Sequence, residues 1–193
     1  MKKVIIMVAI AVAMAVVAGC ASAPEQDAPP SGRTGVPGFV LNPPQADDAI
    51  YGVGVGTSSR IDMARRQATG RAREDIAFQM NAAIQASIVD YAQEAGADGN
   101  DPQVISFYET VSRQVTDTTL EGATPEEFDY DDDGNLWALV VLPKSSMLNA
   151  AAEAFQRNED AAFAQFQADQ ALQALDNRLQ NTPPQAGNVD TID

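Results

Sequence analysis

The chain has 193 residues, with 12 basic and 27 acidic side chains, no histidine and a single cysteine. So acidic a surface lacks the basic face that displaces counterions from a polyphosphate, which excludes nucleic acid as a partner and argues against lying flat on anionic lipid. Without histidine the usual nucleophile-base pairs and the commonest zinc sites cannot be built, and one cysteine excludes an internal disulfide.

Lys2 and Lys3 precede an uninterrupted apolar run from Val4 to Ala18, the charged-then-apolar order of a secretory signal peptide. As a helix this run reaches roughly 22 Å, short of the ~30 Å hydrocarbon core, which favours a cleaved leader over a permanent span. It ends in Val17, Ala18, Gly19 and Cys20, which resembles the lipobox of bacterial lipoproteins. The competing reading is an ordinary signal peptide with a chance cysteine; the small residues before Cys20 and the absence of a second cysteine favour lipidation. The resemblance implies removal of residues 1–19, acylation of Cys20 by two or three chains such as palmitate, and a mature protein with no free thiol. Ala21 follows the cysteine, and in that family a residue other than aspartate there implies delivery to the outer membrane in a cell with two membranes; the periplasmic face is expected over the cell surface.

Residues 20–48 hold six of the eleven prolines and read as a disordered, semi-extended tether, since proline fixes φ and withholds an N–H. The α+β module follows at 49–143. Ile50 to Gly56 alternates apolar residues with glycine, the pattern of a strand whose glycine face lies close against another element. Ser58 and Ser59 offer an N-cap and Asp62 a first-turn acid, so a long helix is expected to run to about Ala95. In it Ala64, Ala68, Ala72, Ile76, Met80, Ile84 and Ile88 recur every four residues. The alanine half permits close approach to the glycine strand, and the larger half fills a wider space.

Gly96 to Pro102 breaks the helix, and Val104, Ile105, Phe107, Tyr108 and Val111 mark a shorter one. The β-branched stretch Val115 to Glu121 predicts an extended segment. Phe128 and Tyr130 form a hairpin partner, across a turn at Asp131 to Asn135, for the continuous apolar run Leu136 to Leu142, which reads as a central strand buried on both faces. The segment 144–181 predicts one C-terminal helix from Ser145 to about Gln180, carrying Phe155, Phe163, Phe166, Leu172, Leu175 and Leu179 and favouring packing on the module over an oligomer interface. Pro183 and Pro184 end it, leaving a disordered tail at 182–193. The expected fold is therefore α+β, a mainly antiparallel sheet of about three strands on a long helix, with a C-terminal helix added.

Gly52, Gly54 and Gly56 lack the spacing of a dinucleotide or phosphate loop, so packing is favoured for them. Asp129, Asp131, Asp133 and Gly134 match the opening of a calcium loop, but the twelfth position falls on Val140 instead of a glutamate; an acidic turn is favoured over weak calcium binding. Arg60, Arg65, Arg66, Arg71 and Arg73 scatter around the helix, favouring a solvated flank with ordinary acid pairs over a docking patch for an acidic partner. No acid pair sits in an apolar setting of the kind that raises a catalytic pKa.

Pro37-Gly38-Phe39-Val40-Leu41-Asn42-Pro43-Pro44, the strand Tyr51 to Gly56, the alanine-arginine helix with Ala64, Arg65, Ala68, Ala72, Arg73, Ile76 and Ala77, Leu120-Glu121-Gly122, and Trp137 to Leu142 occur in one order. Together they resemble the Lpp-twenty lipoprotein family of bacterial outer membranes, over about residues 36 to 143. The resemblance implies a compact α+β module without enzymatic activity, catalytic residues or cofactors, with relatives at the flagellar base. The expected protein is a non-enzymatic envelope lipoprotein that binds the membrane through its anchor and engages envelope proteins or copies of itself. The alternative is a small-ligand or weak calcium-binding periplasmic module.

Overall fold

The computed structural model describes residues 35–181; the leader, Cys20, the tether through residue 34 and the tail at 182–193 lie outside that range. Along the described chain the elements are α1 (Gly38–Leu41), β1 (Ala49–Gly56), α2 (Ile61–Glu94), α3 (Pro102–Thr119), β2 (Thr124–Tyr130), β3 (Leu136–Pro143), α4 (Lys144–Arg157) and α5 (Ala168–Asn181). The strands form an antiparallel sheet in the order β1-β3-β2, so the apolar run of β3 is central as expected. The architecture is α+β, with a three-stranded antiparallel sheet packed on a long helix.

The pleat divides the sheet's residues between two layers. Ile50 opposite Leu142, Gly52 opposite Val140 and Gly54 opposite Ala138 face the helices. Val53, Trp137 and Leu139 face the other way and enclose Phe39 of α1 in a second, smaller core. Residues 36–41, proline-flanked in sequence, are thus packed against the outer face of the sheet.

The glycine face of β1 is where α2 comes closest. An added Cβ at Gly56, Gly54 or Gly52 would overlap the carbonyl oxygen of Ala64, Ala68 or Ala72 respectively. Two strand residues advance about 6.6 Å and four helix residues about 6 Å. This near match lets each glycine meet an alanine turn in succession. Beyond Ala72, Ile76, Met80, Ile84 and Ile88 fill the wider gap and are fully buried with Val104, Val111 and Met147.

Three local expectations are corrected. The β-branched stretch at Val115 is the end of α3, followed by a 3-10 turn at Leu120–Gly122. Val104, Phe107, Val111, Val115 and Thr119 share its buried face. The hydroxyls of Thr110, Thr118 and Thr119 donate to the carbonyls four residues back, which accommodates threonine within a helix. The C-terminal segment is two helices. Asn158 Nδ2 donates to Ala154 O at the end of α4, and the chain turns so that Phe163 and Phe166 enter an aromatic cluster. The Phe166 ring lies 4.5 Å from that of Phe107 and 5.7 Å from that of Phe155. Finally, Arg60 is the N-cap of α2 and makes no side-chain capping bond, while Ser58 Oγ accepts the Arg60 amide.

α5 packs back on α2 and α4, burying Ala171, Leu175 and Leu179. Among the described residues no helix is long and apolar enough to cross a membrane.

Candidate functional site

The arginines of α2 do not form the acid-paired flank that their spacing predicts. Among the described residues, Arg60 is the one of the five that pairs with an acid, Asp62, at 3.1 Å. Arg71 donates to Val55 O at 2.9 Å, Arg73 donates twice to Ala123 O, and the Arg65 guanidinium lies 4.6 Å from the centre of the Phe128 ring. Arg66 is exposed.

Arg71 belongs to a set that closes one edge of the sheet. At four-residue steps along α2, Arg71 donates to Val55 O, Asp75 accepts from Val53 N at 3.0 Å, and Gln79 Nε2 donates to Tyr51 O at 2.8 Å. An exposed strand edge presents a row of unpaired backbone groups to other chains. Here the helix that covers the glycine face of β1 also occupies its open hydrogen-bonding side. The alanine stripe was readable in sequence. The adjoining stripe Arg71, Asp75 and Gln79 has the same four-residue spacing as the alanines but no hydrophobic period to mark it.

The acidic turn is organised by its own hydrogen bonds. Asp131 Oδ1 accepts the Asn135 amide at 2.7 Å, and Oδ2 accepts Asn135 Nδ2 at 2.9 Å and the Trp137 indole N–H at 3.0 Å. Burial acts to raise the Asp131 pKa, but these bonds and the backbone amide of Asp133 outweigh it and hold the carboxyl below its ordinary value. Gly134 takes the left-handed conformation, φ +81°, that the turn requires. Asp129 accepts the amide of Tyr130. Asp129, Asp131 and Asp133 are not brought together, and among the described residues no group of three acids could hold a metal ion.

Three surfaces remain as places for a partner. The first is the outer sheet face around Phe39, where half-buried Tyr51, Val55 and Val40 adjoin the small core. Burial, then the negative charges of Glu126 and Asp48, raises the Tyr51 phenol pKa. The second is a groove of about 360 Å³ between α2 and α3, lined by Asn81, Gln85, Tyr108, Glu109, Arg113 and Asp117 among others. The third is a groove of about 660 Å³ between α2 and α5, crossed by the Asp90–Arg178 ion pair. Ser87 lines it with a buried hydroxyl that has no hydrogen-bond partner. Lys144, also missed in sequence, is buried at the base of α4 and donates to Leu179 O, satisfying a carbonyl in the last turn of α5.

Cys20, the one lipidation candidate, precedes the described residues. No protein-family model, curated protein or solved structure matches the chain.

Proposed function

We propose that the chain is a lipid-anchored envelope protein whose folded part binds or assembles with other envelope components and does not catalyse. The observation that carries this reading is Val17-Ala18-Gly19-Cys20 directly after a charged and apolar leader. In this reading acylation at Cys20, followed by Ala21, delivers the mature chain to the outer membrane, with the periplasmic face favoured over the cell surface. The resemblance to the Lpp-twenty family extends the proposal to flagellar or other envelope assemblies. The fold is compatible with a tethered role: the segment that follows the proposed tether packs on the outer face of the sheet through Phe39.

Affinity purification from detergent-solubilised envelopes tests this reading. With the native protein, flagellar or other envelope components are expected to co-purify, and with Cys20→Ala they are not. Equal recovery with both forms would contradict the dependence on an anchor, and recovery of the protein alone would end the assembly reading. A second reading, a module for a small polar ligand, is favoured by the α2–α5 groove and the unpartnered Ser87 hydroxyl. Thermal stabilisation by a small polar ligand that disappears in Ser87→Val would support that reading.

A further inference from the structure

The N-terminal chain joins the fold at one end of the sheet. The carbonyl oxygen of Gly35 accepts the amide of Asp132, in the β2–β3 turn, at 2.8 Å. Fourteen residues lie between Cys20 and Gly35, and fully extended they span at most roughly 50 Å. The same end holds the last pairs of the sheet, Gly56 and Tyr130 on either side of Leu136. It also holds the start of α2, which runs back along β1 from there.

Five large apolar side chains are exposed among the described residues, and three of them belong to this end: Ile61 at 53 %, Met63 at 38 % and Tyr130 at 53 % exposure. The opposite turn, residues 96–101, carries none. The other two, Leu41 and Phe78, lie on α1 and midway along α2; the three at this end give it an apolar rim, and tyrosine suits a boundary that is apolar on one side and wet on the other. Arg60 is paired with Asp62, Arg65 and Arg66 are exposed in the next turn of α2, and Asp132 and Asp133 are exposed in the adjoining β2–β3 turn. This mixture disfavours an anionic surface and suits a zwitterionic one.

We propose that this end of the module, through Ile61, Met63 and Tyr130, rests on the zwitterionic lipid surface to which Cys20 is anchored; the inference depends on the lipidation reading above. The side chains are too few for an independent membrane site. An acyl anchor within the reach of the short tether holds them at high effective concentration, so a weak contact suffices to orient the module. The β2–β3 turn then faces the bilayer, and the α2–α3 turn points away from it.

Hydrogen–deuterium exchange on the full-length acylated protein in phosphatidylcholine–phosphatidylethanolamine nanodiscs tests this, with acylation first established by intact mass. The amides of Ile61, Asp62 and Met63 open a helix and have no intrahelical acceptor, so they report directly on a covering surface. Relative to lipid-free Cys20→Ala protein, peptides covering 58–66 and 129–134 are expected to exchange at least threefold more slowly, with 96–101 unchanged. Ile61→Ser/Met63→Ser, acylated to the same extent, is expected to lose the protection, as are discs made half anionic. Exchange equal to that of the lipid-free protein in an acylated sample overturns the proposal and leaves the anchor standing. Protection in whole envelopes but not in discs assigns this end to a protein partner and also overturns it. A sample without acyl mass overturns the anchor reading and the proposal with it.

Discussion

Adding one methyl group to the glycine face of β1 should cost a large fraction of the protein's stability. In Gly54→Ala the new Cβ overlaps Ala68 O and Ala72 N and comes within 2.9 Å of Arg71 C. All three are backbone atoms of α2, so no rotamer change relieves the clash, and helix and strand must separate. Overpacking of this kind costs typically about 1–3 kcal/mol, occasionally more. Separation also stretches the bonds from Arg71, Asp75 and Gln79 to β1, each contributing about 1 kcal/mol. A loss of about 3 kcal/mol is expected. With a urea m-value of about 2 kcal/mol/M, that lowers the midpoint by about 1.5 M. Gly70 provides the control: it lies within α2 with open space around it, so Gly70→Ala should stabilise by about 0.5–1 kcal/mol. Urea unfolding followed by Trp137 fluorescence and far-ultraviolet circular dichroism measures both. A folded Gly54→Ala protein within about 0.5 kcal/mol of the parent would refute the close-packing argument.

Phe39→Ala should empty the outer core and expose the Trp137 indole, shifting its emission to longer wavelength and removing about 3 kcal/mol, the low end for a buried phenylalanine; unchanged emission would show that α1 does not cover the sheet. Phe166→Ala removes a ring in contact with four others and should cost about 3–5 kcal/mol, with limited proteolysis then concentrated between α4 and α5. Asp131 has a folded pKa below its ordinary 3.8. Its contribution is therefore complete above about pH 4 and fades as pH falls through the lower folded value. Asp131→Asn should lose about 1 kcal/mol at pH 7 and show a smaller acid-side decline than the parent; parallel pH profiles would count against the carboxylate as the organiser of the turn.

Much of the fold was readable because its signals were local and periodic. The alternation of Gly52, Gly54 and Gly56, the four-residue repeat from Ala64 to Ile88, and the unbroken apolar run of β3 each specify an element and the face it buries. The misreadings arose where tertiary packing overrode local preference. Val115 to Thr119 has strand-like composition, but Val111, Val115 and Thr119 fall on one helical face that the core requires. Phe163 and Phe166 suggested a helical stripe, yet they reach Phe107 and Tyr91 only because the chain breaks after Arg157. Edge capping by Asp75 and Gln79 was hidden for a different reason. A polar side chain bonding to a strand edge has no hydrophobic period to reveal it, and the arginines beside it suggested surface charge. The Phe39 contact was masked by flanking prolines that read as a tether.

The central claim is the lipid anchor at Cys20, and the intact mass of the protein extracted from its native membrane tests it most directly. The expected mass is that of a chain that begins at Cys20, lacks residues 1–19, and carries diacylglycerol with or without a third acyl chain. A mass corresponding to an unmodified cysteine, whether the leader is retained or cut elsewhere, would contradict it.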